Sequence, residues 1–166
     1  MATIKLGDKS IETVGTLPKV GDTAPDFELT AQDLSSKKLS NYKGSRVIMN
    51  IFPSIDTNVC ATSTRKFNEE ASKLENTIIL CISKDLPFAL KRFCAAEGIK
   101  NLEMLSDFRD GNFGKNYGVE MINGALQGLL SRAIVVLDGK GKVIYNQQVP
   151  SIGEEPDYLS ALKTLL

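Results

Sequence analysis

The chain has 166 residues, 20 Lys+Arg against 20 Asp+Glu, 42% hydrophobic residues, three cysteines and neither histidine nor tryptophan. That length and apolar content suit one domain, residues 1–166, with a substantial core, and they exclude a disordered chain; the balanced charge supplies no global field for nucleic acid or an anionic membrane. The missing histidine removes Ser-His-Asp and Cys-His catalysis and histidine-based metal centres together. In chain order, residues 3–6 and 10–13 alternate around Gly7-Asp8-Lys9 and predict an N-terminal β-hairpin. Residues 27–30 read as a short strand and residues 41–44 as a turn. Residues 46–52 are almost continuously apolar, as in a central strand covered on both faces. Pro53 stops that strand, and a polar stretch leads to Phe67, Ala71 and Leu74, spaced as on one helix face. Residues 76–83 form a second strand of the buried type. Leu86, Ala89, Phe93 and Ala96 then mark the inward face of a helix ended by Gly98. Residues 132–138 and 142–145 flank Gly139-Lys140-Gly141 as a hairpin. Leu159, Leu162 and Leu166 predict a last amphipathic helix, with Pro156 in its first turn.

Strand, helix, strand and helix in succession imply parallel strands joined by crossover helices, and the later hairpin adds an antiparallel pair. The expected class is therefore α/β with a thioredoxin-like order: a mixed central sheet flanked by helices, plus the N-terminal hairpin. No stretch approaches the roughly 18 consecutive apolar residues that span a bilayer. The N-terminus also lacks the basic and apolar segments of a secretory signal, so the expected setting is cytoplasmic and away from membranes. In a reducing compartment three cysteines point to redox, catalytic or buried thiols rather than a disulfide framework.

Cys60 lies in Pro53-Ser54-Ile55-Asp56-Thr57-Asn58-Val59-Cys60, between the central strand and the helix that carries Phe67. With Thr57 or Asn58 at the N-cap it falls in the first helical turn, where unpaired N–H groups and the helix dipole stabilise a thiolate. On position alone, a nucleophile and a half-buried structural cysteine are equally open. Cys81, inside Ile78-Ile79-Leu80-Cys81-Ile82, is expected to be an inert core thiol. Helical spacing puts Cys94 near Leu90 and Lys91, off the inward stripe, with Lys91 and Arg92 favouring its thiolate, so it is the better partner for Cys60. No Cys-x-x-Cys pair is present to support thiol-disulfide exchange, and scattered cysteines without histidine do not match a zinc site. No cofactor or metal is expected.

Pro53-x-x-x-Thr57-x-x-Cys60 resembles the active-site signature of the peroxiredoxins, in which the proline shields the cysteine, the threonine hydroxyl hydrogen-bonds at the reaction centre and the cysteine attacks a peroxide. Arg132, a charge at the head of an apolar strand, matches that family's remaining active-site arginine. The segment from Ser83 to Cys94, SKDLPFALKRFC, resembles the resolving-cysteine signature of bacterial thiol peroxidases, the intramolecular two-cysteine branch. The likeness runs from Gly21 to Tyr145. It implies reduction of hydrogen peroxide and alkyl hydroperoxides through a Cys60 sulfenic acid, an intramolecular Cys60–Cys94 disulfide, thioredoxin as reductant and a homodimer. The alternative is a redox sensor or partner-binding module that switches the same thiols without turnover. Two helix-borne cysteines can be bridged only if their Cα atoms come within about 7 Å, so local unwinding around residues 57–64 is expected. Residues 117–127, with several glycines and exposed-looking apolar positions, are the expected region of substrate access or subunit contact.

Overall fold

The computed structural model describes residues 1–71 and 73–165. At the N-terminus, β1 (Thr3–Leu6) and β2 (Lys9–Glu12) form the expected antiparallel hairpin, with Ile4 opposite Ile11 and both buried. Next come β3 (Glu28–Ala31), β4 (Ser36–Lys38), a 3-10 turn at Leu39–Tyr42 and β5 (Arg46–Ile51). Then follow α1 (Asn58–Ala71), β6 (Thr77–Ser83), α2 (Pro87–Glu97), β7 (Glu103–Ser106) and α3 (Asn112–Asn116). The order closes with β8 (Ala133–Leu137), β9 (Val143–Gln148) and α4 (Tyr158–Lys163).

Seven strands make one sheet in the order β4-β3-β7-β6-β5-β8-β9. β5, β6 and β7 are parallel neighbours connected by α1 and α2, whereas β8 runs antiparallel to β5, β9 to β8 and β3 to β7. This is the mixed, thioredoxin-like sheet anticipated from the βαβα order. Period-two alternation along β5 divides the core. Val47, Met49 and Ile51 pack in one layer with Leu80, Val135, Phe113 and Tyr117. Ile48 and Phe52 pack in the other with Phe67, Leu90, Ile134 and all three cysteines. Because both faces are covered, the strand reads as nearly continuous apolar sequence.

Several local expectations require correction. The buried face of α2 is Pro87, Leu90 and Cys94, while Leu86 is 54% exposed. Pro87 occupies the first helical position and leaves Leu86 extended as the N-cap, outside the helix, and the inward stripe runs through Leu90 and Cys94. Gly98 does end the helix, in the left-handed conformation at φ 65°. In α4, Asp157 is the N-cap and accepts from the Ser160 amide, so Pro156 lies before the helix rather than in its first turn. Ala161 and Leu165 face inward there and Leu159 is 65% exposed; Leu166 lies outside the described residues. Helix α1 ends at Ala71, so Leu74 packs on the same layer from beyond it.

Residues 117–127 divide: Tyr117, Val119 and Met121 are buried, against expectation, whereas Ile122 is 37% exposed and residues 123–125 and 127 are exposed, as expected. Gly118 explains the buried part: at φ 71° it lies against the Thr16 backbone, with which a Cβ would collide. The glycine marks a close backbone crossing rather than a solvent loop. Among the described residues no helix is long and apolar enough to cross a membrane.

Candidate active site

Phe52 and Pro53 are buried at the C-terminal end of β5, after which the chain turns through residues 54–57 into α1. Asp85, in the connection from β6 to α2, pins this turn: its Oδ1 accepts from Ser54 Oγ at 2.7 Å, and its Oδ2 accepts from the Ile55 amide at 2.7 Å and from Ser83 Oγ at 2.7 Å. Ser106 Oγ donates in turn to the Asp85 carbonyl. Thr57 precedes α1 as expected of a cap, but its hydroxyl donates backward to the Ser54 carbonyl at 2.9 Å and its amide donates to the same oxygen at 3.2 Å. The Thr57 side chain therefore tightens the turn from an exposed position.

Cys60 stands in the first turn of α1 and is completely buried. Its carbonyl accepts from Ser63 Oγ at 3.0 Å and Thr64 Oγ1 at 2.9 Å, two hydroxyls one turn along the helix. The Cys60 sulfur accepts from Arg132 Nη1 at 2.9 Å. Sheet register puts the arginine there. Ala133 pairs with Ile51, so the preceding residue lies beside the end of β5, where the chain turns toward Cys60. Arg132 Nε donates to the Ile152 carbonyl at 2.8 Å, which fixes the guanidinium plane, and the side chain is buried at 1% exposure rather than solvated at a strand end. Among the described residues Arg132 forms no ion pair with a carboxylate. A buried cation needs polar partners, and the Cys60 sulfur at 2.9 Å and the Ile152 carbonyl at 2.8 Å are the acceptors it meets.

The other two thiols differ. Cys81 is fully buried, and burial pushes its thiol up to about 12, opposed by hydrogen bonds from Asn50 and Thr64. Asn50 Nδ2 lies 3.7 Å from Cys81 Sγ and 3.3 Å from Ser63 Oγ, while the buried Asn50 Oδ1 has no hydrogen-bond partner among the described residues. Cys94 sits on the inward face of α2 rather than beside it, in the i, i+3, i+7 set with Pro87 and Leu90. Burial pushes its thiol up, against donation from Gln32 Nε2 at 3.5 Å. The expected help from Lys91 and Arg92 is absent from this arrangement: both are exposed, and Arg92 pairs with Asp56 at 3.4 Å. All three cysteines are free thiols.

Cys60 and Cys94 thus belong to one buried layer, with Arg132 on the first and Gln32 on the second. Arg65 grips Glu97 through two hydrogen bonds of 3.0 and 2.8 Å, tying α1 to α2. Asp85 and Gln32 escaped the sequence reading. Asp85 lies within the 83–94 motif, where its charge gave a weak signal; Gln32 has no local sequence signal because its contact spans distant elements.

A family model described as Redoxin matches residues 19–162. The chain is 49% identical over 165 residues to a thiol peroxidase of Corynebacterium glutamicum, covering 99% of both, and 52% identical to one of Mycobacterium tuberculosis with the same coverage. Among solved structures it is similar to a peroxiredoxin-like protein from Aquifex aeolicus, with a TM-score of 0.94, 41% identity and coverage of 99% of this chain and 96% of that one. It also shares its fold with a thiol peroxidase from Chromobacterium violaceum, with a TM-score of 0.91, 24% identity and coverage of 98% and 94%.

Proposed function

The chain belongs to the redoxin family and is a thiol-dependent peroxidase; on that premise we propose that Cys60 attacks the hydroperoxide and Cys94 resolves the product. The Cys60 thiolate displaces on the O–O bond. A sulfur–oxygen bond forms, the departing oxygen takes a proton and leaves as water or an alcohol, and Cys60 remains as a sulfenic acid. Arg132 holds the thiolate and stabilises charge developing on the peroxide oxygens, while Thr57 and Pro53 shape and shield the turn. Cys94 then attacks the Cys60 sulfur, the S–O bond breaks, and water leaves as the disulfide forms. A dithiol reductant of the thioredoxin type returns two electrons and two protons. Hydrogen peroxide and alkyl hydroperoxides are the substrate class, and one domain working as a homodimer in the cytoplasm completes the reading.

The observation that carries this reading is Arg132 Nη1 at 2.9 Å from Cys60 Sγ, both side chains being buried. Because both thiols are buried and borne on separate helices, the first turn of α1 unwinds before the disulfide closes. The test is sulfenic-acid trapping after peroxide treatment, with thioredoxin-coupled turnover measured alongside. Wild type should be labelled, Cys60→Ser should not, and consumption should continue for many turnovers. Labelling at Cys81 would overturn the assignment, and a single stoichiometric oxidation would favour a sensor.

A further inference from the structure

We infer that Gln32 is a catalytic residue of the second half of the cycle: its side-chain amide donates to the Cys94 sulfur and holds it as the attacking thiolate. The inference rests on Cys94 being the resolving thiol. Placement follows from the sheet. β3 ends at Ala31, which packs on the layer opposite the cysteines, so alternation turns Gln32 to the cysteine face. Ala31 pairs with Leu105, which puts Gln32 beside Met104, a member of the same layer as Cys94. From there Gln32 Nε2 reaches Cys94 Sγ at 3.5 Å.

This contact answers a difficulty left by the fold. Cys94 is 8% exposed, and a buried thiol resists ionisation, yet disulfide formation requires the thiolate. The Cys60 and Cys81 thiols share its layer, and they offer no positive charge. Asp33, Lys37 and Glu103 line a solvent-open groove beside Gln32 together with Leu102 and Met104, while Lys91 and Arg92 are exposed on the helix surface. A neutral amide donor is suited to this place: it stabilises the thiolate without leaving a buried charge when Cys94 enters the disulfide. In that step the Cys94 thiolate bonds to Cys60 sulfur as hydroxide leaves and is protonated to water. When the external dithiol later cleaves the disulfide, the same amide stabilises Cys94 if it is the departing sulfur.

The test follows alkylation of Cys94 by iodoacetamide in the reduced full-length protein, mapped by peptide mass spectrometry between about pH 6 and 10. Gln32→Leu should raise the midpoint by about one pH unit and slow alkylation near neutrality about tenfold. Gln32→Glu should raise it further and Gln32→Lys should lower it, a dependence on charge sign that a packing role would not produce. In single-turnover experiments the Gln32→Leu slowing should fall on disulfide closure rather than on sulfenic-acid formation. An unchanged midpoint in Gln32→Leu, or all three variants shifting in one direction, would overturn the inference. If wild type formed no Cys60–Cys94 disulfide with peroxide, the resolving-thiol reading would fall while the alkylation series still decided whether Gln32 holds the sulfur.

Discussion

Cys60 and Cys81 lie in the same hydrophobic layer, both at 0% exposure. What separates them is the partner each sulfur meets. Cys81, in the middle of a strand, has an amide at 3.7 Å and a thiol pushed up to about 12, so it remains protonated and unreactive at neutral pH. Cys60, at a helix start, has a guanidinium at 2.9 Å that is itself buried and held by the Ile152 carbonyl. Burial by itself makes a cysteine inert; burial with an orientated cation makes a water-excluded site in which that cation acts at full strength. Cys94 falls between these cases, with a neutral donor and slight exposure.

The largest expected effect comes from removing the feature that distinguishes the two sites. Arg132→Ala should lower the second-order rate of peroxide consumption about a hundredfold, the scale of losing one preorganised donor to developing negative charge. Arg132→Lys keeps the charge but loses the planar fork and the hold on Ile152, so its rate should be intermediate. Equal rates for wild type and Arg132→Ala in stopped-flow peroxide assays would break the contrast. Asp85→Asn should act less strongly, about tenfold, because an amide donor replaces one of the carboxylate oxygens that accept the two bonds from Ser54 and Ile55 pinning the 54–57 turn. Faster amide exchange over residues 54–60 should accompany that loss, and unchanged exchange would show that the turn is held otherwise. Thr57→Val should cost a severalfold loss of rate with recovery in Thr57→Ser, since the hydroxyl donates to Ser54.

The parts legible in the sequence were those with local signals. Continuous apolar runs mark β5 and β6, and Gly98 marks the end of α2. The Pro53, Thr57 and Cys60 spacing marks the turn at which Cys60 and Arg132 do meet. The segments SKK, EMLS and NFGKN of β4, β7 and α3 were illegible because they are short and, unlike β1 and β2, carry no alternation around a turn. The face of α2 was misassigned because Leu86, Ala89, Phe93 and Ala96 fit a helical spacing as well as Pro87, Leu90 and Cys94 do, and only packing on the sheet selects the second set. Asp85 and Gln32 act across the sheet on residues from other elements, so only tertiary register reveals them. Arg132 was visible as a charge at a strand head, but its burial depends on register with Ile51.

The smallest effect on turnover, and the sharpest test of the contrast, is expected at Cys81. Cys81→Ala should leave peroxide reduction within about twofold of wild type while costing on the order of 1 kcal/mol of stability near neutrality, from the small cavity it leaves. Its pH signature has a definite sign. The folded thiol is raised from 9.0 to about 12, so the folded chain retains a proton there that the unfolded chain releases. The stabilisation from the neutral thiol is complete below pH 9.0 and is lost as pH rises through about 12. Over that window the stability advantage of wild type over Cys81→Ala should shrink by about 1.4 kcal/mol for each pH unit and reverse once the cavity term is exceeded. Urea unfolding at a series of alkaline pH values isolates Cys81 when both proteins carry Cys60→Ser and Cys94→Ser, which removes the other two thiols from the comparison. A constant difference across the window would mean that this sulfur ionises as readily in the fold as outside it, and that burial rather than the partner is the smaller influence on these thiols.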